Sequence, residues 1–203
     1  MHINRIKFLH LYNLTTFDIS MKRITLFDKT FKTYIPYEQV EEVIDKVAEQ
    51  VNEDYRGCED IPVLLCVMNG SLMFTAELMK RLDFNCELAS IKVSSYVGTQ
   101  SVGEVSVKQA MCADVKGRRV IIVEDIVDTG TTMLALTKYL KDLGASDVKI
   151  CTLFYKPEAY KHKDELPIDY IAMDIQNQFI VGFGLDYNEL GRNYKDIYIL
   201  YEE

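Results

Sequence analysis

The stretch with the most obvious chemical potential is Val120-Ile121-Ile122-Val123-Glu124-Asp125-Ile126-Val127-Asp128-Thr129-Gly130-Thr131-Thr132-Met133. Two adjacent carboxylates, Glu124 and Asp125, leave the end of a β-branched run, and Asp128 follows three residues later. Thr129-Gly130-Thr131-Thr132 then leads into a helical pattern. Backbone N–H groups at a helix start, a glycine able to form a nest, and neighbouring hydroxyls together make a cradle for an anion. Carboxylates beside such a cradle would repel a bare phosphate. They make sense as groups that grip ribose hydroxyls, bind a cation or accept a proton. The plainer alternative is that Thr131 or Thr132 caps the helix and the acids are solvated loop residues.

Other chemistries fit less well. Asp128-Thr129-Gly130 spells the aspartic-protease tripeptide, but that site needs all-β surroundings and a second carboxylate sharing the proton. Here a buried strand precedes the tripeptide and a helix follows. Neither GxxxxGK[ST] nor GxGxxG occurs, and zinc spacing such as HExxH is absent. Cys58, Cys66, Cys86, Cys112 and Cys151 are scattered singly, which reads as reduced thiols in a cytosolic protein. A catalytic cysteine would need a histidine, and His2, His10 and His162 fall in a tail or a polar loop.

The elements that must position these residues follow from hydrophobic periodicity. Val40, Val43, Ile44, Val47, Ala48 and Val51 share one face of an amphipathic helix. Val63–Met68 is a continuous apolar run of strand length, broken by Asn69-Gly70-Ser71, where Ser71 can cap a helix through about Leu82. Ala89–Val93 reads as a second strand, and Ser94 to Gly103 as a polar loop. Alternation in Glu104–Lys108 follows. Val120–Val123 is a strand buried on both faces. Met133, Leu136, Leu140 and Leu143 mark a helix ending at Gly144. Further strands are expected at Val148–Tyr155, Tyr170–Met173, Phe179–Val181 and Ile197–Leu200. Strand, helix, strand, repeated, predicts an α/β fold with an open, mainly parallel twisted sheet flanked by helices. Ligands of such sheets lie outside the carboxyl ends of the strands.

Composition narrows the partners. Of 203 residues, 48% are hydrophobic and 27% charged, as in ordinary globular domains. We read residues 21–203 as a single domain and residues 1–20 as an N-terminal extension outside its core. The apolar stretch Val63–Phe74 is interrupted at Asn69-Gly70-Ser71 and falls short of the ~20 residues a membrane helix needs. With 23 Lys+Arg against 31 Asp+Glu the formal charge is −8, which argues against nucleic acid as a partner. No membrane partner is expected either.

The acid-acid-x-x-Asp-Thr-Gly-x-Thr pattern after a hydrophobic strand resembles the phosphoribosyl-diphosphate (PRPP) loop of type I phosphoribosyltransferases. Met68-Asn69-Gly70-Ser71-Leu72-Met73-Phe74 resembles that family's pyrophosphate loop, and Ser94-Ser95-Tyr96 its mobile lid. Tyr155-Lys156-Pro157, Asp169-Tyr170 and Phe179 to Glu189, with Arg192, resemble the purine end of the hypoxanthine(-guanine) members. The likeness runs from about Phe27 to Ile199, with its segments in family order. It implies a small hood, formed by segments near the chain ends, over the sheet. It also implies Mg²⁺-dependent conversion of PRPP and a 6-oxopurine (hypoxanthine, and guanine) into IMP or GMP and pyrophosphate.

By position, the resemblance assigns Glu124 and Asp125 to the ribose hydroxyls and Asp128 to the proton at purine N7. Thr129, Gly130, Thr131 and Thr132 fall to the 5′-phosphate, and Asn69, Gly70 and Arg192 to pyrophosphate. Lys156 meets the 6-oxo group, Phe179 stacks on the base, Ile180 offers backbone contacts and Asp186 holds Mg²⁺. Ser95 and Tyr96 belong to the lid. The family's homodimers or homotetramers and a cytoplasmic location are implied likewise. Asn69 stands where the family often has a basic residue, which leaves backbone N–H groups to hold pyrophosphate there. Gln178 stands where a charged residue often precedes the stacking aromatic. A non-catalytic PRPP sensor would usually add a DNA-binding helical extension or a basic face, and a purely structural domain would not explain acids beside an anion cradle.

Overall fold

The computed structural model describes residues 22–95, 105–109 and 113–201. The expectations for residues 1–20 and for Tyr96 lie outside these residues; Ser95 is the last residue of its strand.

The first two strands were not legible in the sequence: β1 (Arg23–Leu26) and β2 (Lys29–Ile35) form an antiparallel hairpin. α1 (Tyr37–Tyr55) starts after Pro36, whose extended backbone sets the entry, and buries Val40, Ile44, Val47, Ala48, Val51 and Tyr55. β3 (Val63–Met68) and the short α2 (Leu72–Met79) follow. Next come β4 (Glu87–Ser95), β5 (Val105–Gln109), β6 (Arg119–Val127) and α3 (Thr131–Asp142). Last are β7 (Asp147–Tyr155), β8 (Tyr170–Asp174), β9 (Ile180–Val181) and β10 (Ile197–Leu200).

The main sheet has the order β5-β4-β3-β6-β7-β8 and is parallel except at β5, which pairs antiparallel with β4. Successive residues of a strand point to opposite faces, and β6 shows the consequence. Ile121 and Val123 enter the core under α1 and α2, whereas Val120 and Ile122 enter the core under Met133, Leu136 and Leu140 of α3. Both faces are buried, which is why the run is continuously apolar.

The hood is a second, antiparallel sheet, β1-β2-β10-β9, which unites both ends of the described chain around Leu26, Phe31, Val181 and Tyr198.

α2 stops at Met79, short of the expected Leu82. Asn52 of α1 supplies the reason: its amide donates to the Arg81 carbonyl at 2.9 Å and its oxygen accepts from the Asp83 N–H at 3.0 Å. Those groups would otherwise continue the helix. Ser71 sits at the start of α2 but does not cap it; its hydroxyl donates to the Val67 carbonyl at 2.8 Å.

Candidate active site

β3 and β6 lie side by side in parallel, with Cys66 opposite Val123. From them the sheet grows in opposite directions, through β4 on one side and β7 on the other. This is the switch point at which open α/β sheets bind ligands. Asn69-Gly70 leaves the end of β3, and β6 carries Glu124 and Asp125 toward its own end before Asp128-Thr129-Gly130.

Three segments meet there at distances that only glycine permits, the Asp125 carboxylate closing on Gly70 and the Gly70 backbone on Gly184. A Cβ on Gly70 would lie 1.7 Å from Asp125 Oδ2, and one on Gly184 would lie 2.0 Å from the Gly70 carbonyl oxygen. Gly184 also has φ +99°, a conformation side-chain-bearing residues avoid. Arg192 completes the junction. Its guanidinium donates to the Gly184 carbonyl at 2.8 Å and pairs with Asp186 at 2.7 Å and Glu189 at 2.8 Å. Asp186 also accepts from the Glu189 N–H at 2.8 Å. Asn69, Gly70, Asp125, Asp186 and Arg192, far apart in sequence, are thus parts of one cluster.

Burial pushes the Glu124 carboxyl well above its ordinary range, and the neighbouring Asp125 charge adds to the effect. Glu124 Oε2 is buried without a hydrogen-bond partner. Burial likewise pushes Asp125 up to about 6, against the Ile126 N–H, the hydrogen bond with Glu124 and the Arg192 charge, which lower it. Raised carboxyl pKa values mean that ionisation opposes folding. The contribution is favourable below the unfolded carboxylate range near pH 4 and is lost as pH rises through the folded values. Glu124→Gln is neutral at every pH and keeps a donor for Asp125. Its melting temperature by calorimetry should exceed that of the wild type by a few degrees at pH 8, and the two should converge toward pH 4. A variant no more stable at pH 8 than the wild type would show that no such repulsion exists.

At the start of α3 the N-cap position is Gly130, with φ +84° and no side-chain cap. The alternative of a Thr131 or Thr132 cap therefore does not describe the structure. Both threonines are the first helical residues, and Thr131 Oγ1 lies 3.3 Å from Thr129 Oγ1. The N-terminal N–H groups of α3 carry the positive end of its dipole. Tyr160, which carries no signal in the sequence, packs against Gly130.

Beyond this cradle, Lys156 follows the end of β7 and is 7% exposed. Its ammonium lies 2.9 Å from Asp128 Oδ2. Phe179, just before β9, is 45% exposed, with Phe31 at 6.1 Å and Tyr187 edge-on at 5.8 Å against its ring. Ile180 is buried in β9 opposite Ile199. Phe31 and Tyr187 were also missed. Phe31 gave no signal, whereas Tyr187 directly follows Asp186 in the segment already quoted.

The phosphoribosyl transferase domain family matches residues 36–188. The chain belongs to this family. The match takes in both loops at the switch point, Lys156, Phe179 and Asp186. It leaves β1, β2, β10 and Arg192 outside, so this phosphoribosyltransferase builds most of its hood beyond the shared span. The chain is 41% identical over 173 residues to the hypoxanthine-guanine phosphoribosyltransferase of Streptococcus pneumoniae, covering 85% of this chain and 94% of that one. It is 44% identical over 167 residues to the enzyme of the same name from Streptococcus thermophilus, covering 80% and 91%. The solved hypoxanthine phosphoribosyltransferase of Staphylococcus aureus superposes with a TM-score of 0.76 at 32% identity, over 83% of this chain and 90% of that one. No helix among the described residues is long and apolar enough to cross a membrane.

Proposed function

We propose that this phosphoribosyltransferase moves the 5-phosphoribosyl group of PRPP to N9 of hypoxanthine, and of guanine, giving IMP or GMP and pyrophosphate. The observation that carries the reading is the buried Lys156 ammonium 2.9 Å from Asp128. Adjacent donor and acceptor match the O6–N7 edge of a 6-oxopurine. Lys156 donates to O6, and Asp128 holds the proton at N7 as N9 attacks the anomeric carbon. Phe179 stacks on the base, and Ile180 offers backbone contacts. The names of the relatives support the same base class.

The remaining assignments follow the resemblance and, for the described residues, their placement around the switch point. Thr129, Gly130, Thr131 and Thr132 hold the 5′-phosphate at the uncapped start of α3. Glu124 and Asp125 accept from the ribose hydroxyls, which gives the buried, unpartnered Glu124 Oε2 a donor. Arg192 and the backbone around Asn69 and Gly70 take the pyrophosphate. Carboxylates near the anomeric carbon also favour the positive charge that builds on the ribose. Ser95 and Tyr96 belong to the lid that excludes water from that centre.

Asp186 is the residue that would hold Mg²⁺. Among the described residues no cluster of three acidic, histidine or cysteine side chains forms a metal cage. One carboxylate already oriented by Arg192 and the Glu189 N–H suits an ion that uses one or two carboxylates plus substrate phosphates. Bound there, Mg²⁺ would stabilise the negative charge developing on the leaving group. A homodimer or homotetramer in the cytoplasm completes the reading.

The test is pyrophosphate release from PRPP with Mg²⁺ and, in turn, hypoxanthine, guanine, xanthine and adenine. Hypoxanthine and guanine should react and adenine hardly at all. No release with either of the first two would overturn the proposal.

A further inference from the structure

Between Lys156 and Lys161 the chain passes from the base end of the site to its phosphate end. The Lys156 N–H donates to the Val127 carbonyl at 3.0 Å, the Tyr160 N–H to the Lys156 carbonyl at 3.1 Å, and the Lys161 N–H to the Thr129 carbonyl at 3.1 Å. Both ends of this short turn are therefore tied to the strand and loop that carry Asp128 and the cradle. Tyr160 lies inside the turn and is buried, 6% exposed.

The ring of Tyr160 occupies the place a side chain on Gly130 would need. A Cβ there would lie 2.1 Å from Tyr160 Cε2 and 2.8 Å from Cδ2. Gly130 is the residue whose left-handed backbone turns the chain into α3 and sets the direction of the N–H groups that follow. Glycine by itself leaves that direction loosely defined, because it populates many backbone conformations. A flat ring held against it removes that freedom. The ring is itself fixed: its hydroxyl donates to the Leu166 carbonyl, and Tyr155 packs on it edge-on at 5.3 Å. Burial pushes the phenol up to about 12, so it stays a donor at neutral pH.

We infer that Tyr160 is a positioning residue for the 5′-phosphate, its ring seating Gly130 so that the start of α3 stays aimed at the anion. This rests on the proposed placement of the 5′-phosphate at Thr129–Thr132. Tyr160 touches no reacting atom; it acts through Gly130. An ordinary core role would instead make it one more aromatic under α3, beside Met133 and Leu136.

The two roles differ in what they do to ligands that share everything except the phosphate. The dissociation constant for inosine divided by that for inosine 5′-monophosphate, both measured by calorimetry or ligand NMR, gives a ratio that isolates the phosphate contribution. Tyr160→Phe keeps the ring and should hold the ratio within about twofold of wild type. Tyr160→Leu removes the flat seat and should lower the ratio about tenfold, equivalent to losing one hydrogen bond to a charged group. Inosine binding should stay unchanged.

If Tyr160→Leu does not fold, Tyr160→Met, whose flexible chain fills irregular space without a plane, is read in the same way. An unchanged ratio, an equal loss for both ligands, or a large loss in Tyr160→Phe would overturn the role. Wild-type protein that binds neither ligand would overturn the proposed function and this inference with it. Wild-type discrimination that survives Tyr160→Leu would overturn only the part given to Tyr160.

Discussion

Asp128→Asn should lower turnover on hypoxanthine by about 10²–10⁴-fold, the usual worth of a positioned general base, while leaving PRPP binding nearly intact. The amide has the size and shape of the carboxylate and can still accept a hydrogen bond from Lys156. It cannot take a proton from the base. The cradle proposed for the 5′-phosphate begins one residue later, but it is built from backbone N–H groups and threonine hydroxyls that do not depend on the Asp128 charge. The substitution does leave a buried ammonium facing a neutral group. A melting curve is therefore measured beside single-turnover rates and a calorimetric titration with PRPP. A folded variant that turns over at the wild-type rate with both substrates saturating would remove Asp128 from the chemistry.

The parts of this molecule legible in the sequence are those where one short window carries the whole signal. Val120–Val123 reads as a doubly buried strand because each residue faces a core, and the acids follow directly from its end. α1 is legible from one apolar stripe, and α3 from another that stops at Gly144, where φ is +88°. β2 is not. Its sequence, Lys-Thr-Phe-Lys-Thr-Tyr-Ile, fully buries only Phe31 and Ile35, and its second partner, β10, comes from the far end of the chain. Without that partner the segment has no pattern to read.

The site divides along the same line. Glu124 to Thr132 could be read as a unit, because the strand end and the helix start are contiguous. The junction of Gly70, Asp125 and Gly184 could not, since it depends on a carboxylate and two backbones from three segments approaching until no Cβ fits. Tyr160 lies in a stretch of mixed polarity, and only its packing against Gly130 marks it out. Arg192 was legible by resemblance alone. Its pairing with Asp186 follows from the turn through Glu189, whose φ of +68° has no local sequence signature.

Base choice is where these residues make their sharpest demand, and Lys156→Gln tests it. An ammonium donates hydrogen bonds and cannot accept them. Facing a purine with oxygen at C6 it is satisfied; facing adenine it meets an amino group. Lys156 keeps Asp128, but its N–H toward C6 would be unpaired. For a buried charged donor that costs more than the ~1–3 kcal/mol of a neutral one, so wild-type discrimination against adenine should be about tenfold to a hundredfold or greater. Lys156 is nearly inaccessible to water, so little solvent can step in to relieve that mismatch. Glutamine offers both an N–H and a C=O, so it can turn either group toward C6. It also releases Asp128 from its ion pair, leaving the base to find its proton without a neighbouring positive charge. Lys156→Gln should therefore lose kcat/KM on hypoxanthine while gaining relative to that on adenine, and the ratio of the two specificity constants should fall toward unity. Both constants are measured from pyrophosphate release on the same preparation, which cancels any error in the active fraction. Efficient use of adenine by the wild type would overturn the assignment of Lys156. So would a Lys156→Gln enzyme that slows on both bases in equal proportion, since that outcome would leave the lysine a stabiliser of Asp128 and nothing more.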